Sequence, residues 1–212
     1  VGSEMCIRDR STMVRFTTRP VIMGTHGVVT SGHHLATAAG FRIMEQGGNA
    51  IDAAAAMCIC LNLLEPQSNG IGGEVPTLIY SAAEGKTFEV SGMGWSPREF
   101  TIEWCRRNGI DLIPGDGFLP ACVPATVGTW AAALERFGTM SFSQVLQPAI
   151  ELATRGYPMY GRLSEALERN AQKFTELYPS TAEVYLPGGR VPAEGEIFRN
   201  PDWGGMLEKM CR

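Results

Sequence analysis

Side chains suited to catalysis or metal binding are sparse in this chain. Its histidines are His26, His33 and His34. Adjacent histidines face apart on a helix or a strand, so the pair is a poor joint metal site. Asp111 and Asp116 flank a short apolar stretch, and loop carboxylates at this spacing are more often solvated than an acid pair. The sequence therefore predicts no metal and no cofactor.

A glycine-rich loop is the next candidate, with the sequence SNGIGGE at residues 68–74. Its successive backbone N–H groups could form an anion-binding nest. Alternatively, the loop is a tight turn that brings a following strand close to the preceding helix. It is not a phosphate-binding P-loop, because the required Gly-Lys-Ser/Thr sequence is missing.

The six cysteines contain no C-x-x-C pair, which argues against a zinc or redox site. Cys58 and Cys60 lie two positions apart and are best interpreted as small buried hydrophobes. Free thiols and the lack of a secretory pattern favour a reducing cytoplasm, although a periplasmic or secreted protein stays possible if upstream sequence is missing. The cysteines are Cys6, Cys58, Cys60, Cys105, Cys122 and Cys211.

Composition limits the partners that this protein can have. The apolar fraction is 44% and the charged fraction 19%, typical of a globular enzyme. A net charge of −4 gives no electrostatic basis for binding nucleic acid or an anionic membrane. The longest apolar run, residues 53–64, is too short to span a bilayer. We therefore expect no nucleic-acid partner and no membrane partner.

The elements that must position any site are centred on an apolar helix at residues 51–64. Gly47 favours the end of a preceding helix, and Asn49 with Asp52 resembles a capping box. Pro66 ends the helix, because it disfavours helical geometry at the residue before it. No polar stripe interrupts the helix, so we predict that it is buried on all sides.

The remaining elements follow from periodicity and caps. Residues 75–80 and 87–91 predict a β-hairpin. Ser31 is expected to cap a helix, Pro124 to be the first helical residue of another, and Ser141 with Gln144 to form a capping box. The other predictions are a strand at 21–30, helices at 34–46, 101–108, 125–137, 142–155 and 161–177, and a mostly irregular tail in which a helix begins near 202.

Three sequence blocks resemble one family in order and spacing. They are GGNAIDAA at 47–54, EPQSNGIGG at 65–73 and ALERFGTMSFSQVLQPAIELATRGYPM at 133–159. The chain is similar to the large-subunit region of the γ-glutamyltransferase (glutathione hydrolase) family, in a divergent branch. The resemblance runs from about residue 20 to the end. We expect residues 1–12 to be a non-native leader, with Met13 the true start, and 13–212 to be the N-terminal part of one family domain.

The resemblance implies an α+β fold, the αββα sandwich of the N-terminal nucleophile hydrolases, here incomplete. Members cut their own precursor, and the freed threonine of the small subunit attacks the substrate, with its own amine as base. Thr17 and Thr18 precede Arg19 and Pro20 and do not match that context. We therefore expect no catalytic residue in this region, an inactive fragment on its own, and a partner in the small subunit of the same precursor.

The resemblance also places a substrate clamp after the hairpin. The family pattern D-x-R-E-x-A-P aligns with SGMGWSP at 91–97, which puts Met93 at the position of the carboxylate-binding arginine. A thioether cannot replace a bidentate guanidinium. Arg98 could reach the same pocket, or could lie exposed at the start of the next helix. Met93, Trp95 and Arg98 are the candidate substrate-binding residues.

The function implied is cleavage of γ-glutamyl amides, glutathione-type small molecules, by acyl transfer to water or an amino acid. One alternative is an amidase of the cephalosporin-acylase type on the same fold, which the substitution at Met93 keeps open. The other is a non-catalytic binding or scaffold homologue.

Overall fold

A computed structural model describes residues 21–212 of the chain. The predicted leader at 1–12, the predicted start at Met13, and Thr17 with Thr18 lie outside the described residues. Strands occur in the described part as two short antiparallel pairs among a majority of helices. In chain order the elements are α1 His34–Glu45, α2 Ala50–Leu64, β1 Thr77–Ser81, β2 Lys86–Val90, α3 Ile102–Arg107, α4 Thr126–Phe137, α5 Phe142–Arg155, β3 Tyr157–Pro158, α6 Gly161–Leu177, α7 Pro179–Tyr185, a 3-10 turn Pro187–Gly189, β4 Ile197–Phe198 and α8 Pro201–Met210.

Helix α2 lies between α1, α4 and α5, as its apolar sequence predicts. Gly47, just before it, has a φ of 92°, a conformation that glycine adopts without strain. The Asn49 side chain accepts hydrogen bonds from the N–H groups of Ile51 at 2.8 Å and Asp52 at 3.1 Å. No residue from 51 to 64 is exposed. The prediction of a buried, capped helix is confirmed.

Close packing of α1 on α2 depends on a glycine. A Cβ atom at Gly40 would lie 2.5 Å from Cγ of Met57, so a larger residue would push the two helices apart.

Across residues 21–212, no helix has both the length and the apolar character needed to cross a bilayer. The fully buried core side chains of α1, α2 and α5 include Ala36, Ile43, Ile59, Leu64, Val145, Leu146 and Ala149.

The side chain of Asp52 ties the start of α2 to the turn between α4 and α5. It is fully buried and accepts a hydrogen bond from the Asn49 N–H at 2.7 Å, completing the capping box. It also accepts from the Thr139 hydroxyl at 2.6 Å and from the Met140 N–H at 3.2 Å. A buried carboxylate is tolerated when it is hydrogen-bonded in this way. Asp52 is therefore a link between distant parts of the chain as well as a cap residue.

The predicted hairpin is confirmed with shifted bounds. β1 pairs with β2 in an antiparallel register that places Thr77 opposite Val90 and Ser81 opposite Lys86. Ile79 is buried, whereas its neighbours Leu78 and Tyr80 are 76% and 68% exposed. This alternation means that one face of the hairpin packs on the described core and the other does not.

The capping box of α5 is also confirmed, and Gly156, with a φ of 91°, follows its last residue. Helix α8 packs on α5 at Gly204, where an added Cβ would lie 3.2 Å from that of Ala153. The helix predicted to begin near residue 202 is confirmed as α8, and the rest of the tail contains the two-residue strand β4, so the tail is less irregular than expected. Tyr157 pairs with Phe198 across the short β3–β4 ladder, a contact that local periodicity cannot reveal.

Three further expectations are wrong, one about a strand and two about where helices begin. Residues 21–30 form no strand, since no described strand pairs with them. The cap of α1 is His33, whose Nδ1 accepts from the Leu35 N–H at 3.2 Å, while the Ser31 hydroxyl donates to the His33 carbonyl. Helix α4 begins at Thr126, two residues after Pro124.

Candidate functional site

The candidate residues lie in the stretch without helix or strand that follows β2, the post-hairpin segment (residues 91–98), which ends in a turn at Arg98. Met93 and Trp95 are 51% and 84% exposed. The segment therefore presents a thioether and an indole on the described surface, two positions apart in the chain.

Backbone contacts hold this segment in place while its side chains stay exposed. The Gly92 carbonyl accepts from the Val75 N–H, and the Trp95 carbonyl accepts from the Val123 N–H, both at 2.9 Å. A Cβ atom at Gly94 would lie 2.1 Å from the Val123 carbonyl oxygen. These two hydrogen bonds and the close approach at Gly94 hold the segment against Val75 and Val123. The positions of Met93 and Trp95 therefore depend on both contacts.

Arg98 lies in a turn that the Phe100 N–H closes by donating to the Pro97 carbonyl at 3.0 Å. The residue is exposed and forms no ion pair within residues 21–212. Helix α3 begins later, at Ile102, with Thr101 as its cap. Arg98 therefore precedes α3 rather than opening it, and it is exposed at the end of the post-hairpin segment.

The glycine-rich loop is held by its own backbone. The Ser68 and Asn69 N–H groups donate to the Glu65 carbonyl at 2.9 and 3.2 Å, and the Gly73 N–H donates to Gly70 at 2.9 Å. These three donors bond to nearby backbone carbonyls, which favours the tight-turn interpretation over the anion nest. The Gly73 carbonyl in turn accepts from the Ala125 N–H at 3.2 Å. The loop therefore anchors the start of α4.

A cavity of about 510 Å³ lies on the other side of this loop, against α6. Amide side chains line it, among them Asn62, Asn69 and Asn170, together with an ion pair between Lys173 and Asp116. The hydrogen bond from Lys173 lowers the pKa of Asp116. Met93, Trp95 and Arg98 are not among its lining residues in the described chain. The structure thus separates the cavity from the three predicted substrate-binding residues.

The buried histidine has a structural role. His33 is 6% exposed and its ring stacks on His34 at 4.5 Å and lies 4.9 Å from the Tyr160 ring. Burial, and then the neighbouring His34, lower the pKa of His33. Its Nδ1 accepts from the backbone, so the neutral ring suits this position. Within residues 21–212 no group of His, Cys, Asp and Glu residues has the arrangement of a metal site.

The half-buried Cys58 and the buried Cys60 on α2 are poor nucleophiles. Burial raises the pKa of Cys58, and raises that of Cys60 to about 12. The thiolate is the reactive form of cysteine, so these groups are inert near neutral pH. This supports their interpretation as small hydrophobes.

The sequence did not single out the side chains that hold the glycine-rich loop. The Tyr160 hydroxyl accepts from the Gln67 amide at 3.0 Å, and the Asn62 amide donates to the Asn69 side chain at 2.6 Å. Tyr160 and Gln67 are 93 positions apart in the chain. No local pattern marks such a pair, although Gln67 and Asn69 lie within the block at 65–73 that carries part of the family resemblance.

Comparisons with known proteins agree on one family. The model of the family described as Gamma-glutamyltranspeptidase matches residues 36–212. Over 178 residues the chain is 34% identical to the glutathione hydrolase-like YwrD proenzyme of Bacillus subtilis, covering 84% of this chain and 33% of that protein. It is also 34% identical to the acylase ACY 1 proenzyme of a Pseudomonas species, over 87% of this chain and 34% of the relative. The chain thus spans about a third of the length of these curated relatives.

Among solved structures, the fold is similar to that of the Helicobacter pylori gamma-glutamyltranspeptidase. The TM-score is 0.83 at 31% sequence identity, over 91% of this chain and 56% of that chain. The fold class predicted from the resemblance, part of an N-terminal nucleophile hydrolase sandwich, is confirmed.

Proposed function

This chain belongs to the gamma-glutamyltranspeptidase family, and from that membership we propose that the intact protein cleaves γ-glutamyl amides by acyl transfer. The acyl group would pass from the amide to a nucleophile on the enzyme, releasing an amine, and then to water or an amino acid. The family match across residues 36–212 is the observation that carries this proposal.

The nucleophile would come from outside the region described here. The chain spans a third of its relatives' length, and several of these relatives are proenzymes. We place the attacking threonine in a small subunit released from the same precursor, with its free amine as base. On this proposal the 212-residue chain alone turns over no substrate, and its contribution is to bind the acyl group and support the partner subunit.

The post-hairpin segment would bind the acyl group. A γ-glutamyl group carries an α-carboxylate, and a hydrogen bond to a charged group contributes about 1.5–3 kcal/mol. Met93 cannot supply that contact, whereas the accessible Arg98 guanidinium nearby could. We propose that Arg98 has taken over the carboxylate contact.

A second candidate function is cleavage of a side-chain amide with a different acyl group. Two observations favour it: the apolar pair of Met93 and Trp95, and the 34% identity to an acylase. An exposed indole offers an aromatic wall to a bulky acyl group. In that case Arg98 would be a solvated residue without a role in binding.

The test compares two chromogenic substrates, a γ-glutamyl anilide and an uncharged acyl anilide, with the full-length processed protein. If Arg98 is the clamp, Arg98→Ala lowers kcat/KM for the γ-glutamyl anilide by about tenfold to a hundredfold, the equivalent of one charged hydrogen bond. The uncharged substrate is unaffected. Arg106→Ala is the matched control, because Arg106 is exposed on α3.

The outcomes separate the candidates. A γ-glutamyl preference that Arg98→Ala leaves unchanged would show that the clamp lies elsewhere. A preference for the uncharged substrate would favour the acylase-type function, and Met93→Arg should then increase γ-glutamyl turnover. A folded, processed protein that cleaves neither substrate would favour a non-catalytic binding role.

The same proposal includes a location and a partner. We place the protein in the cytoplasm, a location supported by the five free cysteines of the described residues. Fractionation of the producing cells would test this. Separation of a purified precursor into two associated polypeptides would support the small-subunit partner.

A further inference from the structure

Two tyrosines bond to the end of α2 in almost the same way. The Tyr157 hydroxyl donates to the Leu63 carbonyl at 3.1 Å, and the Tyr160 hydroxyl donates to the Leu64 carbonyl at 2.9 Å. These carbonyls belong to the last turn of the helix, where no further helical N–H is available. Both tyrosines therefore stabilise the C-terminus of α2.

One difference separates the two tyrosines. The Tyr160 hydroxyl also accepts a hydrogen bond from Nε2 of Gln67 at 3.0 Å. Its single proton is used toward Leu64, so the Gln67 amide must present its NH₂ group. Tyr157 is fully buried, and its hydroxyl has no such contact with the loop among the described residues. Only Tyr160 thus joins α2 to the residue that leads into the glycine-rich loop.

Hydrogen bonds continue from this loop to the post-hairpin segment. The Asn69 side chain accepts from Asn62 at 2.6 Å, which fixes the loop to α2 a second time. At the loop's far end, the Gly73 carbonyl accepts from Ala125 at 3.2 Å, and two residues earlier the Val123 N–H donates to Trp95 at 2.9 Å. A displacement of the loop would therefore displace the backbone that carries Trp95.

We propose that Tyr160 and Gln67 are positioning residues that set the place of Met93 and Trp95 through the glycine-rich loop. This inference rests on the proposed function, in which the post-hairpin segment binds the acyl group. Neither residue need touch the substrate. Their bond limits the movement of a loop whose middle, at Gly70, has no atom packed within 4 Å of the Cβ position.

The size of the effect follows from the sensitivity of catalysis to geometry. A misplacement of about 1 Å by a distant mutation can lower a rate by about a hundredfold. Loss of one half-exposed hydroxyl allows a smaller shift. For Tyr160→Phe we therefore expect kcat/KM to fall by about tenfold, between no effect and that limit. Gln67→Leu removes the other partner of the same bond and should have a similar effect.

The experiment uses the full-length processed protein and the anilide that it cleaves best. Three single variants are compared: Tyr160→Phe, Gln67→Leu and the control Tyr157→Phe. The double variant Tyr160→Phe/Gln67→Leu should lose no more activity than Tyr160→Phe alone, because Tyr160→Phe already removes the bond that Gln67→Leu removes. Tyr157→Phe should lower Tm, since it leaves a buried carbonyl without its donor, and keep kcat/KM within about twofold.

A second measurement reports the loop directly. Amide hydrogen exchange at Val75 and Val123, whose N–H groups donate to Gly92 and Trp95, should increase in Tyr160→Phe and Gln67→Leu but stay unchanged in Tyr157→Phe. Equal losses of activity in both tyrosine variants would overturn the proposal, because α2 stability would explain them. Unchanged exchange and unchanged kcat/KM in Tyr160→Phe would also overturn it.

Failure of the proposed function gives a different result. A protein that cleaves no amide even when unaltered refutes the enzymatic assignment, while hydrogen exchange still decides whether Tyr160 and Gln67 hold the segment.

Discussion

The helical core and the region from the post-hairpin segment to the start of α4 differ in how far their large side chains are buried. In α1, α2 and α5 most apolar residues are buried or half-buried, and the buried carboxylate of Asp52 is surrounded by donors. Between residues 91 and 125, Trp95 and Phe118 are 84% and 88% exposed. The helical core is held by buried apolar contacts, whereas the second region is fixed by backbone bonds and leaves large side chains exposed. This contrast indicates that the first region maintains the fold and the second presents a surface.

Two tryptophans allow the contrast to be tested with one residue type. Trp130, in α4, is 4% exposed, and Trp95 is 84% exposed. Trp130→Ala should lower the free energy of unfolding by about 3–5 kcal/mol, since it opens a cavity in the core. Trp95→Ala should change it by less than about 0.5 kcal/mol. Denaturant unfolding of both variants gives the comparison, and a similar cost for both would remove the distinction between the regions.

Asp52 should be the most sensitive polar group of the core. Asp52→Ala leaves several buried donors around Thr139 without a partner, and the expected loss is about 3 kcal/mol. Asp202→Ala is the control, because Asp202 lies exposed in the first turn of α8. That variant should cost less than about 1 kcal/mol, the usual size of a helix-dipole interaction. A small effect of Asp52→Ala in urea unfolding would contradict the role of Asp52 as a link.

Two glycines of positive φ distinguish conformational cost from steric cost. Gly85 in the hairpin turn has a φ of 63° and open space around its Cβ position. Gly92 has a φ of 58°, and a Cβ there would lie 2.0 Å from the Val75 carbonyl oxygen. Gly92→Ala should exceed Gly85→Ala in cost by about 1–3 kcal/mol, the range for overpacking. Gly92→Ala should also lower turnover, because it displaces the post-hairpin segment. Equal unfolding midpoints for the two variants would show that the contact at Gly92 relaxes freely.

The smallest effect is a dependence of stability on pH through His33. Its folded pKa lies below the value of about 6.5 expected for the unfolded chain. The contribution of His33 to the free energy of unfolding is therefore fully present above about pH 6.5 and is lost as the pH falls through the folded pKa. The groups that face the ring are His34 and Tyr160, and Glu65 lies beside the backbone of Gly32.

His33→Asn keeps an N-cap acceptor without a titrating group, so it should flatten the change in unfolding free energy between pH 7.5 and 5, whereas His34→Asn should retain most of it. If the unfolding free energy of His33→Asn changes with pH as much as that of the unaltered protein, the pH dependence belongs to another group.

Local signals predicted the core well. The caps at Asn49 and Ser141 act within three residues of themselves, so the sequence carries them in full. Where a predicted helix start was wrong by more than the choice of a neighbouring cap, a distant contact decided it. Helix α4 starts at Thr126 because the N–H groups of Ala125 and Thr126 donate to Gly73 of the glycine-rich loop. Residues 21–30 alternate like a strand but have no described partner.

The candidate site was predictable only in part. Its place after the hairpin came from the aligned pattern, and in the structure Met93 and Trp95 are both exposed there. The separation of this segment from the 510 Å³ cavity was not predictable, because the cavity forms between α6 and a loop far from it in sequence. That Met93, Trp95 and Arg98 bind substrate stays a prediction.

The sequence by itself determined the buried helix α2, the hairpin, the capping boxes and the family, because these depend on residue type and spacing within short windows. Only the tertiary structure decided which groups act together. The bonds of Asp52 to Thr139 and of Tyr160 to Gln67 cross 87 and 93 positions of the chain. A hydrogen bond of this kind requires two side chains to meet at about 3 Å, and folding brings such distant residues together without leaving any periodic pattern in the sequence.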